Sequence, residues 1–271
     1  MMNSTLALTF SSEDHESLKL AHQRLENPGF AIRASNLLGW PLEHVVRLLP
    51  ETAYKEIYAA AQIGIRRALD TAVSTLNSKR PGRAGDRFHL WAGMGAGALG
   101  GSFGLAGLAA ELPISTGIML RSIADVAIRE GEDLADLETR MACLEVFALG
   151  GYSPEDDAAD AGYYGLRLTL AASVSRAATH ISRHGMGKEG APAIAALIGS
   201  ISSRFGFAVS EKVAAQMVPV VGAAGGAAIN WLFIKHFQKM AHAHFTMRRL
   251  ERHYGETMVK AAYQTISESA G

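Results

Sequence analysis

The chain holds a single cysteine, Cys143, among 271 residues. That excludes an internal disulfide and any cysteine-based metal site, and it suits a reducing compartment. Charged residues are scarce at 19% and balanced, 26 basic against 26 acidic, for a formal net charge of zero. No overall field therefore marks the chain as a nucleic-acid binder. Sustained alternation of Val, Ile, Thr and aromatic residues is missing, the short Phe88-His-Leu-Trp91 being a weak exception, so no sheet is expected. The amino terminus, "MMNSTLALTFSSEDHESLK", has no basic segment running into an apolar one and does not read as a secretory signal. A cytoplasmic chain is expected.

What is present is helical. Ser12 is placed to cap a helix whose first turn holds Glu13 and Asp14, and Asn27-Pro28-Gly29 stops it. Residues 51 to 77 carry Ala53, Ile57, Ala60, Ala61, Ile65, Ala68, Leu69 and Ala72 at helical spacing. Ser153-Pro154-Glu155-Asp156 is a further start signal. The spacing predicts an all-α, multi-helix domain of eight to ten helices, built around a close-packed pair of Gly/Ala-rich central helices. Residues 1–80 read as an N-terminal helical region packing on the core, 81–255 as the core, and 256–271 as a C-terminal tail helix.

Glycine is concentrated in "GMGAGALGGSFG", residues 93–104, which matches both G-x-G-x-x-G and G-x-S-x-G. The first motif needs a strand before it and a second strand ending in an acid about 20 residues on. The second needs a strand–turn–helix elbow around Ser102. Neither context is there. Gly93, Gly97, Gly101 and Gly104 instead share one helix face. Counting Gly107, the seven glycines of residues 93–107 cost about 7 kcal/mol in a helix relative to alanine, a penalty that persists where another backbone packs close. Gly222, Gly225 and Gly226, with Ala215 before them, offer the partner stripe. A "Phe-Gly" segment starts both "SFGLAGLAAELP" and "RFGFAVSEKVAAQMVP", a hint of internal duplication.

Residues 88–110 and 213–234 hold no Lys, Arg, Asp or Glu and are long enough to cross a bilayer. Both are dominated by Gly and Ala, so buried helices fit better than true spans. Basic residues flank them: Lys79, Arg80, Arg83 and Arg87 before the first, and Lys235, Lys239, Arg248, Arg249 and Arg252 after the second. Such flanks suit contact with anionic lipid.

The polar residues that stand out are few. Glu111 lies one turn beyond Gly107, and Asn230 one turn beyond Gly226. A buried carboxylate needs a donor. Arg121 and Asp125 have the i, i+4 spacing of a pair. His180 and His184 have metal-compatible spacing, with no Glu completing a zinc motif. His236 and His244 share a face that could hold an anion, a phosphate or a metal.

"ELPISTGIMLRSIADVA", "CLEVFALGG", "VSEKVAAQMVPVVGAAGGAAIN" and "AHAHFTMRRLERHYG" together resemble the EcsC family of bacterial proteins, over roughly residues 86–254. The resemblance implies a helical, membrane-associated protein. It adds weight to Glu111, Arg121, Asp125, Glu145, Asn230, His236, His244 and Arg248 as motif-block polar residues. Lys235 stands where the family often has an acid before the histidine. The expected role is binding or accessory, at the inner face of the cell membrane, with an anionic lipid surface or a small-molecule or lipid ligand as partner. No nucleic acid, cofactor or metal is expected, and self-association stays open. The alternative is a lipid or ester hydrolase whose catalytic set comes from Glu111, Arg121, Asp125, Asn230, His236 and His244.

Overall fold

A computed structural model describes residues 10–26, 30–39, 41–76, 104–151, 162–186, 191–217 and 222–270. Among these residues there are ten helices and no strand. They are α1 (Ser12–Glu26), α2 (Phe30–Leu38), α3 (Leu42–Arg47), α4 (Glu51–Ser74) and α5 (Gly104–Arg129). Then follow α6 (Leu137–Leu149), α7 (Gly162–His184), α8 (Pro192–Met217), α9 (Gly222–Tyr254) and α10 (Glu256–Ala270).

Local signals account for the ends. Ser11, one residue before the cap expected at Ser12, is the capping residue: its Oγ accepts from the Asp14 amide at 3.1 Å. Asp136 caps α6 by accepting from the Glu138 amide. Gly255, at φ +87°, closes α9 in the left-handed conformation and lets α10 double back. Pro113 lies inside α5, and the helix runs through it. A proline forfeits one i→i−4 bond. Its neighbours Ser115 and Thr116 turn their hydroxyls onto the Leu112 carbonyl, at 3.1 and 2.6 Å.

α8 and α9 run through the middle. α9 touches α1, α2, α5, α6, α8 and α10, while α8 touches α2 to α7 as well. α4 lies along α5, carrying its apolar stripe Ala53, Ile57, Ala61, Ile65 and Ala68 inward. The two helices approach closely at Gly64, where an added Cβ would stand 2.9 Å from Thr116 Oγ1. The core centre is a knot of Phe147, Phe205, Phe233 and Phe237, with ring centroids 5.0–6.2 Å apart.

α5 and α9, which carry the Gly/Ala segments, are in contact. Gly93, Gly97, Gly101, Ser102 and the Phe88–Trp91 stretch lie outside the described residues, as do the Lys79–Arg87 loop and the Ser153-Pro154 start. The second uncharged segment belongs to two elements, the end of α8 and the start of α9. Among the described residues, the helix long and apolar enough to cross a membrane is α8, and about half of that stretch is buried in the fold.

Candidate functional site

Glu111 does find a donor. Lys212 of α8 gives its Nζ to both carboxylate oxygens, at 2.8 and 2.9 Å. The lysine is wholly buried, its ammonium 5.1 Å from the centre of the Phe233 ring. The partners stand two turns past Phe103 and Phe205, matching positions of the two "Phe-Gly" segments. Lys212 stands with Arg204 as one of two cations in the apolar α8, and its pairing was not legible because sequence alone does not bring α5 and α8 together.

Asn230 and His236 follow along α9, both buried. His236 is held at both ring nitrogens: Nδ1 lies 2.9 Å from Arg33 Nη2, and Nε2 lies 2.7 Å from the Gly150 carbonyl. A guanidinium can only donate, so Nδ1 accepts and Nε2 carries the proton. The imidazole thus ties a surface arginine to the α6 corner, and neither nitrogen is available as a base or metal ligand.

His244 belongs to another cluster. Its Nδ1 lies 3.1 Å from the Tyr163 hydroxyl, which accepts from Arg167 at 3.3 Å. Arg167 pairs with Glu251 at 2.7 Å, and Tyr164 donates to the same oxygen at 3.0 Å. His244 Nε2 is buried without a partner. Burial, with the charges of Arg167 and Arg248, holds this imidazole well below its ordinary pKa. Glu145 lies in the same electrostatic neighbourhood; burial pushes its carboxyl up to about 7, against the pull of Arg167 and Arg248. Tyr163 and Tyr164, with Tyr263, Arg167, Lys260 and Glu26, line a cavity of about 920 Å³ beside this cluster.

Arg121 is exposed while Asp125 is buried, so their spacing does not put them in one environment. Glu111, His236 and His244 have three separate sets of partners. None of the six proposed catalytic residues lines the cavity beside Tyr163 or the smaller groove between α4 and α8. His180 and His184 stack at 4.8 Å on α7. No group of three metal-binding side chains forms among the described residues.

The basic residues sort into two sets. At the end of α9, Arg248 pairs with Glu132 at 2.8 Å, Arg249 with Asp14 and Glu130 at 2.9 and 3.0 Å, and Arg252 with Glu132. These arginines, expected to be open to lipid, hold α9 to α1 and to the α5–α6 turn. Three turns earlier the situation reverses. Lys235 and Lys239 of α9, Arg24 of α1 and Arg33 of α2 are each half-buried. No carboxylate pairs with Arg24, Lys235 or Lys239 among the described residues. Lys239 is shifted toward the neutral amine by burial and then by the charges of Arg33, Arg24 and Lys235.

The family model described as the EcsC protein family matches residues 78–250, more than half of the chain. No curated protein and no solved structure matches.

Proposed function

The chain thus belongs to the EcsC family, and from that premise we propose that it binds peripherally to anionic membrane at the inner face of the cell membrane, through the face formed by α1, α2 and α9. The observation that carries this reading is that exposed apolar side chains lie beside three of the four cations Arg24, Arg33, Lys235 and Lys239 in the sequence. Leu20, 46% exposed, precedes Arg24 by one turn; Ile32, 64% exposed, adjoins Arg33; Trp231, 39% exposed, precedes Lys235 by one turn. Leu37 is exposed one turn beyond Arg33. Interfacial surfaces combine these ingredients: lysine and arginine for lipid phosphate, with tryptophan and aliphatic side chains for the acyl boundary.

A binding or accessory role fits this surface better than hydrolysis. The buried Glu111–Lys212 pair and the doubly bonded His236 leave neither group free for proton transfer. Co-sedimentation with vesicles is the test. The chain should pellet with anionic vesicles at low salt, leave them as salt rises, and ignore zwitterionic ones. Trp231 emission should shift to the blue on binding, and Trp231→Phe should lose that component. A chain that stays in the supernatant with anionic vesicles at low salt refutes the proposal.

A further inference from the structure

We infer that Arg24, Arg33, Lys235 and Lys239 form a headgroup site for a phosphomonoester lipid, a class whose phosphate carries close to two negative charges. The inference rests on the membrane reading above and narrows it to one kind of lipid.

The placement follows from the helix register. The Asp14–Arg249 bond of 2.9 Å and the Tyr254 hydroxyl on Asp14 at 2.8 Å hold one end of α1 on α9. Arg24 at its other end lies close enough to Lys239 for its charge to act there, so the two helices run antiparallel. Moving along α1 from Asp14 to Arg24 matches moving back along α9 from Arg249 to Lys239. Arg33 arrives from α2, fixed by its 2.9 Å bond to His236, whose neighbours on α9 are Lys235 and Lys239. Three helices therefore deliver four cations to one place.

Like charges held together this way destabilise one another unless an anion stands among them. The chain supplies carboxylates to Arg248, Arg249 and Arg252 on the same helix, and supplies none to Arg24, Lys235 or Lys239. Lys239 is shifted toward its neutral form first by burial and then by the charges of Arg33, Arg24 and Lys235. A phosphodiester headgroup brings one phosphate charge. A monoester brings roughly −1.5 to −2 and three strong acceptor oxygens, enough to meet several of these donors at once. The apolar neighbours Leu20, Ile32 and Trp231 point to a lipid rather than a soluble ester, because only a lipid offers them something to enter.

The experiment compares phosphatidylcholine vesicles containing phosphatidic acid with others containing phosphatidylserine, matched for surface charge, using the full chain. Binding should be about tenfold tighter to phosphatidic acid. Lys235→Gln and Lys239→Gln should each weaken that binding roughly fivefold, and together abolish the preference. Both lysines are half-buried with no carboxylate partner among the described residues, so helix content should hold and Tm should not fall. Arg24→Gln serves as a third variant on a different helix. Equal binding to the two matched vesicles overturns this inference and leaves the membrane reading standing. No binding to either overturns both. Glycerol 3-phosphate releasing the chain from vesicles as readily as excess phosphatidic acid vesicles do would assign the site to a soluble ester and overturn the lipid.

Discussion

The buried pair of Glu111 and Lys212 shows what one residue can decide. Two charges taken out of water cost several kcal/mol each, and their mutual attraction offsets that only while both are present. Lys212→Met should therefore lower the unfolding free energy by about 3–5 kcal/mol, because it strands the Glu111 carboxylate in the core. Glu111→Met combined with Lys212→Met should recover most of the loss, and urea denaturation of the two variants and the parent measures it. If the double variant is no more stable than Lys212→Met, the pair has a value beyond mutual neutralisation. At this scale the sequence was partly legible. Spacing from the glycine stripe singled out Glu111 and the requirement for a donor, while the donor's identity depended on a contact between helices far apart in the chain. His236 shows the complementary limit. A histidine in a motif block reads as chemistry, and only its two bonds, to Arg33 and to the Gly150 carbonyl, reveal that both nitrogens are structural.

For the elements, close approach sets the tolerances. At Gly64 the obstacle to a larger residue is the Thr116 hydroxyl, 2.9 Å from where a Cβ would stand. At Gly151, after α6, the obstacle is the Arg204 carbonyl of α8, which cannot rotate away. Gly64→Ala should cost about 1–2 kcal/mol, and Thr116→Ala in the same chain should relieve much of the clash. Gly151→Ala should cost about 3 kcal/mol with no side-chain change to relieve it. Thermal melts of the three variants rank these costs, and equal losses at the two glycines would contradict the distinction. Helix existence was legible because apolar spacing is a local property, as the inward stripe of α4 illustrates. Continuity through Pro113 was not. It depends on the hydroxyls of Ser115 and Thr116 and on packing against α4, and neither can be read from the proline itself. The close approach at Gly64 was not legible either, since Gly64 lies in α4, away from the glycine-dense stretch at residues 93–104.

Across the whole molecule, the buried His244 and the half-buried Glu145 give stability opposite dependences on pH. His244 is held below its ordinary pKa of 6.5 by burial, so the unfolded chain takes up that proton first. Its contribution is present above about pH 6.5 and is lost as pH falls. Glu145 is raised from 4.5 to about 7, so the folded chain keeps that proton longer. Its contribution is present below about pH 4.5 and disappears as pH rises toward 7. His244→Asn, which keeps an acceptor for Tyr163, should flatten the fall in Tm between neutral and mildly acidic pH. Glu145→Gln should stabilise by about 1 kcal/mol at neutral pH and by little in acid, the figure reduced because Glu145 is partly exposed. Parallel Tm profiles for the parent and both variants would remove the assignment.

The sorting of cations along α9 has a further consequence for how the molecule approaches a surface. A chain with zero formal charge that gathers four positive side chains on one face carries the compensating negative charge elsewhere, which makes it an electric dipole. A uniform field exerts no net force on such a body, only torque. Far from an anionic bilayer, beyond a screening length of about 8 Å at physiological salt, the protein would diffuse as an uncharged particle. In the proposed membrane binding, the protein first rotates within that distance and is then drawn in, with α1, α2 and α9 already facing the lipid.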